Sequence, residues 1–199
     1  LLFGGFREKI DTGTRSAKGR ESLILEEWKM FREMRRKRQA LPEDACDEIL
    51  RRNTSGVLAV SGDDGWPYAV PLSYVYADGK IYFHSAAAGH KLDAIAGENR
   101  VSFCVVDEDK VVPGEYTTYF RSVIAFGRAR VLEDPAEKRA AFELLAAKYT
   151  PDDEAGRKAE IDRFFQQARL VEIAVEHLSG KEAIEFVKAR SREQGQQTL

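Results

Sequence analysis

The sequence predicts a mainly β, α+β fold, with about six antiparallel strands closed into a barrel and helices at its periphery. Three observations carry this. From residue 56 onward the apolar residues recur with a period of two. The gaps between these runs are short and turn-like, as in Gly62-Asp63-Asp64-Gly65 and Ala77-Asp78-Gly79-Lys80. Helical periodicity is confined to a few insertions. Closing such a sheet would spare it exposed edges.

Taken in order, residues 1–20 mix Gly, Arg, Lys, Ser and Thr without periodicity and read as a mobile lead-in. Residues 21–39 could form a charged helix. Leu41-Pro42-Glu43-Asp44 opens a helix, with Pro near the first turn and acids suited to its dipole. Its segment through Arg52 places Ala45, Ile49 and Leu50 on one side, and Thr54-Ser55-Gly56 ends it. A strand over 56–61 follows. The next run alternates Tyr68, Val70, Leu72, Tyr74 and Tyr76 against Ala69, Pro71, Ser73 and Val75. With the Asp78-Gly79 turn and a return strand over 80–85, it reads as a β-hairpin. A short helix over 91–97 is closed by Gly97, residues 100–106 are β-rich, and Pro113-Gly114 marks a loop. Residues 119–132 form a long strand that Gly127 can bend or bulge. Helices are predicted over 135–149 and, more weakly, 154–167, with a last strand over 170–177. The chain should be polar and loose after about Val187.

Composition excludes several classes. Hydrophobic residues at 43% and charged residues at 32% are those of an ordinary globular chain, and 199 residues suffice for one sizeable domain. No apolar run approaches the ~20 residues needed to cross a bilayer. No signal peptide is evident at the start, so a cytoplasmic, non-membrane protein is expected. Cys46 and Cys104 read as reduced thiols, and His84, His90 and His177 are not spaced as metal ligands. The net charge of −2 is uneven: residues 1–40 carry eleven Lys/Arg against six Asp/Glu, peaking at Arg35-Arg36-Lys37-Arg38. Without interleaved aromatics or a recognition-helix pattern this reads as a solvated extension, not a nucleic-acid site. Glycine patterns of dinucleotide and P-loop sites are missing.

The chemistry concentrates where the return strand ends. His84-Ser85, then Gly89-His90-Lys91 at a helix start, combine a hydroxyl, two potential cations and exposed N–H groups, which suits a phosphate. Tyr68, Tyr74, Tyr76 and Tyr82 read as packing residues.

The order of these segments resembles the FMN-binding split β-barrel superfamily of pyridoxamine 5′-phosphate oxidase, and within it the nitroimidazole-resistance (nitroimidazole reductase) branch. The motifs that carry the resemblance are PLSYVY (71–76), IYFHSAAAGHK (81–91) and FRSVIAFGRA (120–129), in that order. It spans residues 34–187, leaving 1–33 as a flexible basic extension and 188–199 as a polar tail. The resemblance implies a homodimer with two FMN sites at the interface and reduction of a small acceptor, such as a nitroaromatic, with NAD(P)H-derived electrons. It implies that Pro71, Leu72, Ser73 and Tyr74 run beside the flavin ring, and that Ser85, His90 and Lys91 hold the phosphate. His90 stands where the oxidases have an arginine. Arg121 and Ser122 would reach the flavin from the partner chain, and His84 would contact the acceptor. Tyr119 could line the pocket, and Lys181 matches the branch's closing motif. The substrate-gripping Trp and Arg-rich end of the vitamin B6 oxidases have no counterpart in SREQGQQTL. A non-catalytic flavin or haem carrier, with His84 or His90 on the iron, is the alternative; a deazaflavin in place of FMN is a third.

Overall fold

The computed structural model of the protein describes residues 31–196. Helix α1 (Glu43–Arg52) is followed by strands β1 (Ser55–Ser61), β2 (Pro67–Ser73), β3 (Val75–Ala77) and β4 (Lys80–Ser85). Next come α2 (His90–Gly97), the long strands β5 (Arg100–Val112) and β6 (Thr117–Val131), helices α3 (Pro135–Tyr149) and α4 (Glu154–Phe164), strand β7 (Arg169–Glu182), and α5 (Ile184–Gln196). The lead-in over residues 1–20 and most of the helix over 21–39 lie outside the described residues. Residues 31–39 contain no α-helix, only a single 3-10 turn at Lys37–Gln39. The tail expected to be loose after Val187 is helical through Gln196.

The strands form one antiparallel sheet in the order β2-β1-β5-β6-β7-β4-β3. This corrects the expected closed barrel of about six strands. There are seven, the end strands β2 and β3 are not paired with each other, and the sheet is open. Nor is the chain mainly β, since its helices hold nearly as many residues as its strands.

The physical reason lies in the predicted hairpin, whose legs part company. Only three residue pairs, Val75–Tyr82, Tyr76–Ile81 and Ala77–Lys80, join them, across the Asp78-Gly79 turn. Both turn residues have positive φ (49° and 73°), as a tight two-residue turn needs. Before Tyr74 the first leg leaves its partner and pairs along its whole length with β1, from Ser73–Ser55 to Pro67–Ser61. The second leg pairs with β7, from Lys80–Ala174 to Ser85–Arg169. As an edge strand β2 carries Pro67 and Pro71, which have no N–H to offer a further strand.

Tyr74 is the joint. Its backbone N–H, freed from any ladder, is accepted by the Tyr149 hydroxyl of α3 at 3.0 Å. That hydroxyl also lies within reach of the Tyr74 carbonyl (3.0 Å) and the Thr54 carbonyl for its own proton. One phenol thus takes the place of a strand partner where β2 and β3 separate. The Tyr74 side chain is fully buried, packs edge-on to Phe103 and donates to the Leu50 carbonyl at 2.8 Å.

The main core lies between the curved sheet and α1. Leu58, Ile81, Phe83, Phe103, Val105, Val123 and Ile173 point inward against Cys46, Ile49 and Leu50. A second cluster of Leu132, Ala141, Phe142, Ile161 and Leu170 forms where α3 and α4 cover β4 and β7. Asp134 caps α3 by accepting from the N–H groups of Ala136 and Glu137, as Pro135 at the first turn led one to expect. Gly127 sits at a register shift against β7, the predicted bulge. A second bulge, unforeseen, frees Asp107 from the β5–β6 ladder, and its carboxylate takes hydrogen bonds from Arg52 and Asn53 at 2.8 Å each.

Tyr149→Phe should leave the Tyr74 N–H without a partner and destabilise the chain by about 1–3 kcal/mol. A urea midpoint lowered at constant slope would show this; an unchanged midpoint would remove Tyr149 as the joint.

Candidate functional site

Because β2 and β4 separate, their ends form two lips of a cleft that α3 and α4 roof over. The cavity has a volume of about 860 Å³. Ser73 from β2 and His84 and Ser85 from β4 line one side, with Phe142, Leu145, Ala146 and Tyr149 of α3 and Ile161 and Phe164 of α4 opposite. His84 is exposed there, its backbone paired with Leu170.

Next to His84, the side chain of Ser85 points to the other face and is only 5% exposed. Lys91 donates from Nζ to Ser85 Oγ at 3.1 Å. The link between them ends at Gly89, whose φ of 143° is open to glycine alone and which starts α2 abruptly. The Leu92 and Asp93 N–H groups return to the Gly89 carbonyl, so those of His90 and Lys91 lie ahead of the helix ladder. A hydroxyl, an ammonium and a helix N-terminus therefore converge within one turn, and a phosphate fits this donor set by charge and by hydrogen-bond direction.

His90 does not converge with them. Its ring stacks on Tyr68 with centroids 4.2 Å apart, and Nε2 lies 3.7 Å from Asp63 Oδ2 in the turn before β2. Pro71 is exposed, Leu72 packs partly on the core, and Tyr74 is engaged in the joint described above. Arg121 and Ser122 lie far along β6. Arg121 pairs with Glu182 of β7, whereas the stretch of β7 beside His84 pairs near Val131. Ten residues of strand separate the two levels, roughly 30 Å. Arg121 lies 3.6–3.7 Å from Asp107, Glu108 and the fully buried Glu182, over the ring of Phe186. Tyr119 donates to Glu115, and the Lys181 ammonium lies over Phe120. Within a single chain Ser73 and His84 share the cavity and Ser85 and Lys91 share a hydrogen bond beside it, whereas the side chains of His90, Arg121 and Ser122 lie apart.

Sequence reasoning missed the helical wall. Phe142, Leu145, Ala146 and Tyr149 follow the i, i+3, i+4, i+7 spacing of one face, and Gly156, Glu160 and Phe164 lie four apart on the next helix. Those spacings were legible, but only as packing faces.

Next to Tyr149, Lys148 buries its ammonium over the Tyr74 ring, 4.3 Å from the centroid, and donates to the Asn53 carbonyl. Burial pulls its pKa down to about 8. Burial likewise pushes the Cys46 thiol up to about 11, out of the nucleophilic range; Cys46 and Cys104 are both free thiols. Among the described residues no group of three or more His, Cys, Asp or Glu could hold a metal ion, and no helix is long and apolar enough to cross a membrane.

This sequence and fold correspond to a known class. Residues 42–182 match the family model of pyridoxamine 5′-phosphate oxidase, and the chain belongs to that family of flavin-binding, oxidoreductase-like proteins. Solved structures with the same fold include a candidate 5-nitroimidazole antibiotic resistance protein from Bacteroides thetaiotaomicron, 22% identical over 72% of this chain and 86% of that one, with a TM-score of 0.61. An FAD-binding protein from Mesorhizobium loti is 29% identical over 73% of this chain and 97% of its own, with a TM-score of 0.54. An FAD- and haem-binding protein from Mycobacterium smegmatis is 20% identical over 73% of each chain, with a TM-score of 0.62. No curated protein matches.

The Lys148 geometry sets a pH dependence. Its folded pKa lies below the 10.5 of a free lysine, so between pH 8 and 10 the unfolded chain binds more protons and stability rises with pH. Measured by urea unfolding, the wild-type minus Lys148→Met difference should grow in favour of wild type over that window. A flat difference would contradict the buried ammonium.

Proposed function

We propose that the protein is an FMN-dependent reductase that passes NAD(P)H-derived electrons to a small acceptor such as a nitroimidazole or another nitroaromatic. The observation that carries this reading is the Lys91–Ser85 pair at the Gly89-capped start of α2, next to a cavity with His84 exposed in it. Family membership supports a flavin, and the Mesorhizobium and Bacteroides structures support the flavin and the acceptor class respectively.

In this reading Ser85, Lys91 and the N–H groups of His90 and Lys91 hold the phosphate, with Pro71–Tyr74 beside the ring. The flavin, when bound, supplies the hydride and electron transfer. His84 hydrogen-bonds the acceptor and hands it a proton, a step for which imidazole is suited near neutral pH. Ser73, across the cleft, adds a hydroxyl that orients the acceptor. Reduced nicotinamide as donor and two free thiols suit a cytoplasmic protein.

The site is completed by a second copy of the chain. Val57, Val106 and Ile124 lie close together on the outward face of β1, β5 and β6 and are exposed, Val106 by 59%. Covering this face in a homodimer would allow Arg121 and Ser122 of one chain to serve the site of the other, which accounts for their distance from His84.

The purified protein should show a two-band flavin spectrum, while an intense Soret band would favour haem and the carrier reading. Lys91→Ala should weaken FMN binding about 10- to 100-fold, the range of one charged hydrogen bond, whereas His90→Ala should change it less than about twofold. His84→Ala should keep FMN and lose acceptor turnover. Equal FMN affinity in wild type and Lys91→Ala would reject the phosphate assignment, unchanged turnover would remove His84 from the mechanism, and elution at monomer size would reject the shared site.

A further inference from the structure

The cavity between β4 and the α3–α4 pair has features that the flavin reading leaves unused. Its volume of about 860 Å³ lies in the upper part of the range for drug-sized ligands and far exceeds a single small ring. Much of its helical wall is apolar, formed by Phe142, Leu145 and Ala146 of α3 and Ile161 and Phe164 of α4. Polar groups gather in two places: His84 and Ser73 at the strand ends, and Asp153, Arg157 and Glu160 along α4 and the turn before it.

The charge at the α4 end has a definite sign. Arg157 is the one cationic side chain among the lining residues, other than a protonated His84, and its guanidinium donates to the Thr150 and Pro151 carbonyls at 2.6 and 2.7 Å. It is thereby held to the α3–α4 loop. Asp153 accepts the Gly156 N–H at 2.8 Å, and Glu160 meets Arg163 only loosely, at 3.5 Å in an exposed pair. Lys91, beside the strand ends, is turned to Ser85. An anionic group entering this end meets two carboxylates and a guanidinium already engaged, whereas a cation or a neutral dipole meets acceptors.

We propose that this cavity is the binding site for the acceptor, and that it selects extended, flat aromatic molecules that are neutral or cationic and excludes carboxylated or phosphorylated ones. That the ligand is the electron acceptor rests on the reductase reading; the size and charge preference rest on the cavity alone. Apolar contact with Phe142, Leu145, Ile161 and Phe164 supplies the attraction, His84 faces the polar substituent, and Glu160 sets the charge preference.

The test is calorimetric binding of three probes to the purified full-length chain: 4-nitrobenzylammonium, the neutral 4-nitroanisole and 4-nitrobenzoate. The first two should bind at least tenfold more tightly than the third, and Glu160→Gln should narrow the gap between the cation and the anion several-fold. Ala146→Phe fills the middle of the cavity, and Ala87→Phe, at an exposed position that tolerates bulk, narrows its strand side. Each should abolish binding of the probes while FMN affinity, followed by flavin fluorescence, stays within about twofold. Nitrobenzoate binding as tightly as the cation, or probe affinities untouched by both fillings, would overturn the proposal. If wild type takes the probes as described but binds no FMN, the reductase reading falls and the cavity's preference stands.

Discussion

The architecture depends on one hydrogen-bonded joint, the Tyr149 hydroxyl seated on the backbone of Tyr74. Without it, the run from Pro67 to Ala77 would have to carry an unsatisfied peptide group in its middle or continue straight as one leg of a hairpin. With it, the chain changes partner in mid-course, so that β2 ends up at one margin of the sheet and β4 near the other. The gap between their ends is the cleft, and the helix that supplies the phenol also supplies the cleft's wall. The joint of the fold and the wall of the cleft thus share one side chain.

Electrostatics fix the rest of the frame. Glu172 is buried between Lys80 and Arg130, each at 2.9 Å; burial opposes its charge, but the two hydrogen bonds prevail and hold its carboxyl below the usual range. Asp107 at the β5 bulge is held low in the same way, by Arg52 and Asn53 against its own burial. Arg190 grips the fully buried Glu182 and ties α5 to the end of β7. These pairs tie β4, β6 and β7, the β5 bulge and α5 to one another, and none of their residues lines the cleft.

Local signals in the sequence were read well, and long-range ones were not. The Asp78-Gly79 turn, the helix from Pro135 to Tyr149 and the Gly127 bulge follow from backbone preferences that neighbouring residues dictate. The split of the hairpin could not be read, because alternation on two adjacent legs looks the same whether they pair with each other or with β1 and β7. Strand β5 runs on through Asp109 and Lys110, which resemble a charged loop; pairing with Phe120 and Tyr119 of β6 holds them extended on a surface that tolerates charge. In the site, the Ser85–Lys91 pair was legible because Gly89 and a six-residue spacing confine it. The turn of His90 toward Tyr68 and Asp63 was not, since those partners lie more than twenty residues away.

The central claim is that the start of α2 exists to hold a flavin's phosphate. The direct measurement compares FMN with riboflavin, which share the ring and differ by the phosphate, by fluorescence quenching on the cofactor-stripped protein. The account predicts that FMN binds at least about 100-fold more tightly, since an ammonium, a hydroxyl and two helix N–H groups act on the phosphate alone. Equal affinities, or riboflavin binding more tightly, would contradict it.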